Sequence, residues 1–174
     1  MTAKTMKHVV GFVAGVTVLV GGLAGSASAV TGSQRFTLTF TGGDTGKVFA
    51  AGVLNASGTD IQLSSTDNPD GSSSGVDRFV FPQGTLTVTH FENPGEFSFN
   101  PRSCVGRFSF TGTFTVTGGT GAYAGATGSG TDVGSGIFVV KRNPDGSCSE
   151  EEAFSNVVVR ATGTLSVPGQ AAAA

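Results

Sequence analysis

Residues 104–117 have the sequence CVGRFSFTGTFTVT, in which apolar and hydroxyl-bearing side chains alternate. From residue 108 onward, one parity carries the bulky apolar groups and one glycine: Phe108, Phe110, Gly112, Phe114 and Val116. Because successive side chains of a β-strand point to opposite faces, this period of two predicts a strand with one buried and one solvated face. The glycine in its middle predicts a sharp bend, of the kind that a curling sheet uses at its corners.

The same alternation recurs along the chain. In residues 34–41 the side chains of Phe36, Leu38 and Phe40 share one face, and Arg35 and three threonines occupy the other. Further strands are predicted over 47–54, 59–64, 76–81, 84–91, 135–141 and 153–167. The pattern of about eight short strands is typical of an antiparallel barrel or sandwich, and closure into a barrel removes the exposed edges. We therefore predict an all-β fold, a single antiparallel and calycin-like β-barrel.

The amino-terminal residues predict export. Residues 1–29 combine a positively chargeable head, an apolar run and the small residues Ala27-Ser28-Ala29, which are the three parts of a cleaved signal peptide. A permanent membrane anchor is the alternative, but the apolar run is short for a span and is interrupted by glycines. We expect a barrel domain over 30–168, a disordered tail over 169–174, and a secreted, extracellular protein with no membrane partner after cleavage.

The charge and composition of the chain limit the classes of molecule that it can bind. The chain has a formal net charge of −2, and loss of Lys4 and Lys7 with the signal makes the mature chain more acidic. No basic stripe is present, which argues against nucleic acid as a partner. With fourteen Phe, one Tyr and no Trp, phenylalanine is the main bulky filler of the interior.

Cys104 and Cys148 are the only cysteines. In an oxidising compartment, two cysteines without a competitor indicate one disulfide. A metal pair is the alternative, but there is no CxxC motif and His90 is the only histidine outside the signal. The acids Asp67, Asp70 and Asp77, and a second group at 145–152, cluster near turns, where we expect them to be solvated. No metal and no cofactor are predicted.

A glycine-rich segment follows the strand at 104–117. Residues 117–124, TGGTGAYA, superficially match a dinucleotide-binding turn, but that site needs a helix next, and further glycines follow instead. Residues 113–131 resemble the hairpin of the allene-oxide-cyclase and dirigent-like barrel families: a strand, Thr-Gly-Gly-Thr-Gly, an aromatic residue, Ala-Gly-Ala-Thr-Gly and a return strand. The resemblance implies an eight-stranded barrel able to enclose an apolar ligand, with Tyr123 as the packing aromatic of this hairpin.

The sequence yields no catalytic set. No Ser–His–acid arrangement can be assembled, and we expect few acids on the apolar faces, so no family carboxylate is carried over. His90 shares the parity of the apolar side chains in its strand, where it is either a polar ligand contact or a partly solvated strand-end histidine. Candidate ligand-binding residues are His90, Phe36, Phe40, Phe108 and Phe114.

Three functions stay open at this point. The first is a binding module that holds a small apolar or aromatic molecule in the lumen or mouth of the barrel. The second is an enzyme of the cyclase or dirigent kind, which steers a reactive intermediate by shape. The third is a surface or matrix protein that assembles through a hydroxyl-rich outer face, and homo-oligomerisation is left open.

The predicted signal is tested by the amino terminus of the exported protein. We expect cleavage after Ala29, because the small residues Ala27 and Ala29 fit a signal-peptidase cleft. Intact-mass spectrometry of protein recovered from the medium should therefore give a chain that starts at Val30. Recovery of a chain that retains Met1 would contradict the prediction.

Overall fold

A computed structural model describes residues 28–169 of the chain. The predicted signal, apart from its last two residues, and the tail from Gln170 lie outside the described residues. The described chain forms eight β-strands and one 3-10 turn at Gly121–Tyr123. The strands are β1 (Val30–Phe40), β2 (Thr45–Gly52), β3 (Ala56–Asp67), β4 (Ser73–Phe81), β5 (Gly84–Asn100), β6 (Val105–Gly119), β7 (Thr127–Arg142) and β8 (Cys148–Val167).

The strands close into a ring. Each strand pairs antiparallel with the next, and β1 pairs with β8 over the whole of its length, from Val30 opposite Val167 to Phe40 opposite Val157. The predicted single antiparallel barrel is therefore confirmed. No helix in residues 28–169 is long and apolar enough to cross a membrane.

The structure of the glycine-rich segment differs from the sequence prediction in where the following strand begins. It does turn the chain, but β7 begins at Thr127 rather than at Ser135, so Gly128, Gly130 and Gly134 lie within a strand. In the described chain, strand β7 follows the 3-10 turn.

Each inward-facing pair between β6 and β7 contains one glycine. Phenylalanine rings of β6 lie over glycines of β7: a Cβ added to Gly134 would lie 2.0 Å from the Phe110 ring, and one added to Gly130 would lie 2.6 Å from the Phe114 ring. The six pairs in register are Val116/Gly128, Phe114/Gly130, Gly112/Asp132, Phe110/Gly134, Phe108/Gly136 and Gly106/Phe138. The alternation of large and absent side chains lets bulky rings fit inside a narrow barrel.

One end of the barrel is sealed. The ring of Tyr123, 5% exposed, packs edge-on against Phe81 with centroids 5.9 Å apart. The Gln34 carboxamide accepts a hydrogen bond from the Leu54 backbone N–H at 2.8 Å and donates one to its carbonyl at 3.1 Å. This closed end carries the turns after β2, β4 and β6 and both ends of the described barrel. Tyr123 thus packs as the family resemblance implied.

The opposite end is open and asymmetric. Strands β5 to β8 have 15 to 20 residues and extend beyond the shorter β1 to β4, so one wall stands above the mouth. Its inward face carries four phenylalanines, which we call the aromatic shelf; ring centroids of neighbouring members lie 6.1 to 6.4 Å apart. The members of the aromatic shelf are Phe97, Phe99, Phe108 and Phe138.

The predicted disulfide is confirmed and lies at the tip of this tall wall. Cys104 and Cys148 are joined, with their Cα atoms 5.5 Å apart and a sequence separation of 44. The bond ties the turn between β5 and β6 to the start of β8. It therefore fixes the two long hairpins to each other above the mouth, where no barrel closure holds them.

Because β7 and β8 pair closely, we predict that adding one methyl group to a glycine of β7 destabilises the fold. In Gly130→Ala the new Cβ would lie 2.2 Å from the Thr162 carbonyl oxygen, a backbone contact that no rotamer change relieves. We expect this variant to lower the free energy of unfolding by about 1–3 kcal/mol, measured by chemical denaturation. Gly118→Ala in β6 is the matched control, because nothing lies within 4 Å of its added Cβ. Equal stabilities of the two variants would contradict the packing account.

Candidate functional site

The open end leads into a cavity of about 230 Å³ inside the barrel, which we call the lumen cavity. Most of its wall is apolar and comes from inward-facing positions of β1, β4, β5, β6 and β8. A polar sector lies on the neighbouring strands β4 and β5 and, across β6, on β7. The apolar wall includes Phe36, Leu38, Phe79, Val88, Phe114 and Ala161, and the charged part of the polar sector is Asp77, His90, Glu92 and Asp132.

The structure brings most of the predicted ligand-binding residues together. Phe36, Phe40, Phe114 and His90 line the lumen cavity. Phe108 instead belongs to the aromatic shelf, beside a shallower depression that shares Glu92 with the lumen cavity wall. The five side chains therefore mark the route from the tall wall into the lumen.

His90 lies between two carboxylates. Its Nε2 is 3.5 Å from Asp77 Oδ2, its Nδ1 is 3.3 Å from Glu92 Oε1, and the side chain is only 12% exposed. Because β5 continues for ten residues beyond it, His90 is not a strand-end histidine, and that alternative is wrong. The neighbouring Glu92 carboxylate raises the pKa of His90, burial opposes this rise, and Asp77 adds to it.

Glycines make the room for these polar groups. Gly75 pairs with His90 across β4 and β5, and a Cβ on it would lie 2.4 Å from His90 Nε2. Gly112 pairs with Asp132, and its Cβ would lie 2.6 Å from Asp132 Oδ1. The sequence predicts a bend at Gly112. The pairing of β6 with β7 keeps its register there, and the absence of a side chain on Gly112 leaves space for the Asp132 carboxylate.

Asp132 and Asp60 are buried without adequate partners. Asp132 is 5% exposed, and its Oδ1 has no hydrogen-bond partner among the described residues. Asp60, on the inward face of β3, is fully buried, and neither carboxylate oxygen has a partner within residues 28–169. Unpaired buried carboxylates are costly, so such groups are typical of functional sites more than of stable cores.

Burial raises the pKa of three aspartates in this interior. The pKa of Asp60 rises to about 7, because burial disfavours its charge and nearby Asp77 adds repulsion. Burial likewise raises the pKa of Asp77 and that of Asp132 to about 6, with repulsion from Glu92 acting on both, while His90 lowers all three. The lumen therefore holds groups able to exchange protons near neutral pH.

The sequence prediction of few acids on the apolar faces is wrong. Asp77, assigned to a turn cluster, lies in β4 two residues before Phe79 and points into the barrel with it. Asp132 lies on the same inward face of β7 as the glycines, and Glu92 lies on the same inward face of β5 as His90. The parity rule applied to the predicted strands would have found Asp77, but Asp132 lies in the part of β7 that the sequence did not predict as a strand. Among the acids of the predicted turn groups, Asp70 and Asp145 do cap turns, and each accepts hydrogen bonds from a serine two residues on.

Comparison with known proteins adds no assignment: no family model, no curated protein and no solved structure matches the chain. Within residues 28–169, no three His, Cys, Asp or Glu side chains are grouped so that they could hold a metal ion. The site is thus defined by its own geometry, an apolar chamber with one acidic, histidine-containing sector.

The raised pKa values predict a pH-dependent stability. Because Asp60, Asp77 and Asp132 bind protons more tightly in the folded state than in the unfolded chain, the free energy of unfolding should fall as the pH rises from about 4 to about 7. His90, whose pKa is also raised, acts in the same direction at the upper end of this range. Hydrogen bonds from serines lower the pKa values of Asp70 and Asp145, so these two groups raise the free energy of unfolding as the pH rises through the lower end of this range.

Asp60→Asn should remove the largest of these penalties. We expect the variant to be more stable than the parent by about 2 kcal/mol at about pH 8, with a flatter dependence on pH, in denaturant titrations. Asp67→Asn, at the exposed end of the same strand, is the control and should change little. A parent protein whose stability rises steadily from about pH 4 to about pH 8 would refute the assignment.

Proposed function

We propose that the protein is a secreted binding protein whose lumen holds a small, largely apolar molecule with one polar end. The observation that carries this proposal is the lumen cavity itself: an apolar chamber, open at one end, on which His90, Asp77 and Asp132 converge. A mostly apolar pocket with a few convergent polar groups is the usual form of a small-molecule site.

The size of the cavity limits the ligand. An apolar cavity of about 150 Å³ is enough to bind benzene. The lumen cavity, at about 230 Å³, would therefore take one ring with a short substituent. The aromatic shelf lies beyond the mouth, and its Phe108 stacks near Phe110 of the cavity wall with centroids 6.5 Å apart, so it offers an apolar approach to the chamber.

Secretion is part of the proposal. The Cys104–Cys148 disulfide is typical of proteins that fold in an oxidising compartment, and the predicted signal at 1–29 supports export. Membership of the allene-oxide-cyclase and dirigent-like barrels is likewise proposed, with support from the eight-stranded ring and the hairpin that places Tyr123 inside the closed end.

A second candidate function is an acid–base enzyme of the cyclase type. The observation that favours it is the position of His90 between Asp77 and Glu92, since a histidine paired with carboxylates inside an apolar chamber can move a proton without water. A surface or matrix protein has less support, because that role requires no chamber, and here a cavity with charged lining residues is present.

The binding proposal is tested by filling the chamber. Phenylpropanol, a ring with a short polar chain, should bind with a dissociation constant of about 1 mM or below, measured by NMR titration. Ala161→Phe, whose new ring would occupy the cavity, should weaken binding by about tenfold or more.

The control places the same ring outside the barrel. Ala51 is exposed on β2, so Ala51→Phe should leave the affinity unchanged, and near-ultraviolet circular dichroism verifies that both variants are folded. An equal loss of affinity in both variants, or no loss in folded Ala161→Phe, would reject the lumen as the site.

A further inference from the structure

We propose that the ligand of the lumen is a cationic amine: a small apolar body that carries one protonated amino group, held at the acidic sector of the cavity. This inference rests on the proposed binding function and names the chemical class of the ligand. It follows from the charges that face the interior, from carboxylate oxygens left without protein partners, and from the aromatic surfaces beside them.

The interior charge is strongly one-sided. Asp77 from β4, Glu92 from β5 and Asp132 from β7 line the cavity, and Asp60 from β3 is buried beside this sector. His90 is the only basic side chain that faces them among the described residues. Every lysine and arginine of the described chain is exposed: Arg35, Lys47, Arg78, Arg102, Arg107, Lys141, Arg142 and Arg160. Even a protonated His90 therefore leaves an excess of negative charge on the wall.

The carboxylates are arranged as acceptors without enough donors. Asp77 and Glu92 share the single imidazole, at 3.5 and 3.3 Å. Asp132 lies across Gly112 from Glu92, with an oxygen that no described group satisfies, although the residue is 5% exposed. An ammonium group has three N–H donors and one positive charge, which matches a sector of several carboxylates around one small space.

Aromatic rings border the acidic sector. Phe114 lies two residues along β6 from Gly112, the position opposite Asp132, and it packs edge-on against Phe36 with centroids 6.0 Å apart. Both rings line the cavity. A cation next to aromatic faces gains further electrostatic attraction, while the rest of the wall accepts an apolar body. An anionic ligand would meet repulsion at the same place, and a neutral alcohol could offer only one donor.

Three probes with the same body test the class of ligand. 3-Phenylpropylamine, 3-phenylpropan-1-ol and 3-phenylpropanoate differ only in a cationic, neutral or anionic end. In titrations at about pH 8 with a chelator present, we expect the amine to bind about tenfold more tightly than the alcohol, and the propanoate to bind least.

Asp132→Asn makes the test specific to the site. The substitution keeps the shape but removes one charge, so the preference for the amine over the alcohol should fall about threefold or more, while the affinity for the alcohol stays within about twofold. Asp67→Asn, which removes an exposed charge from β3, should leave the preference intact. An amine preference that is the same in Asp132→Asn would show that net charge, and not this site, attracts the amine, and would overturn the proposal.

The amine should also bind in a pH-dependent way. The titratable groups that face it are Asp77, His90, Glu92 and Asp132, and Asp60 is buried behind this wall, close enough to interact with the charges of Asp77 and His90. Deprotonation of each one makes the site more negative, so amine affinity should rise between about pH 5 and about pH 8, whereas alcohol affinity should change little. An amine affinity that falls over this range would contradict the proposal.

The outcomes separate this inference from the binding function. Tighter binding of the alcohol or the propanoate would overturn the amine proposal and leave the lumen as a binding site. Failure of all three probes to bind would reject both. Titration with Ca²⁺ or Zn²⁺ in place of the chelator completes the design: a metal that binds tightly, depends on Asp132 and excludes the amine would reassign the sector to a metal ion.

Discussion

The limited space inside a ring of eight strands is the constraint on which the rest of this structure depends. Inward positions of β6 and β7 directly oppose each other, and each such pair combines one glycine with one larger side chain. Two phenylalanines in register would overfill the barrel, and two glycines would leave a gap. The paired arrangement lets β7 lie close to the rings of β6. Opposite Gly112 of β6, and likewise opposite Gly75 of β4, a polar side chain fits instead of an aromatic one.

Those two places hold His90 and Asp132, which belong to the polar sector of the lumen. Carboxylates inside an apolar barrel oppose folding, because burial disfavours their charge and raises their pKa. The closed end shows that this sequence can pack a dry core when only stability is required, with Phe81, Tyr123 and Ala126 filling the space. Buried acids at the open end therefore sit where stability alone would favour apolar side chains, as is usual for functional sites.

Much of the fold could be predicted from the sequence because strand period is a local property. The alternation around Phe108 and Phe36, the count of eight strands and the pairing of two cysteines required no knowledge of distant contacts. The strand alternation predicts β7 only from residue 135, because glycine weakens an isolated strand and the rings that pack over these glycines are visible only in three dimensions. Asp77 and Asp132 were missed for a related reason: their parity places them inside, but general preference places acids outside. Asp60 was missed because the apolar Ile61 and Leu63 have the opposite parity in this strand, yet the structure buries Asp60 and exposes Leu63. The tall wall with the aromatic shelf was also missed, since Phe97 and Phe99 follow a register shift after Pro94 that breaks the alternation.

The position of the two ends of the barrel has a practical consequence. Val30 and Val167 lie opposite each other at the sealed end, whereas the mouth and the tall wall are at the other end. A tether attached through either end of the domain would hold the barrel with its opening directed outward. The domain is therefore suited to immobilisation on a sensor surface or to fusion with a carrier protein, with the chamber left accessible to solution.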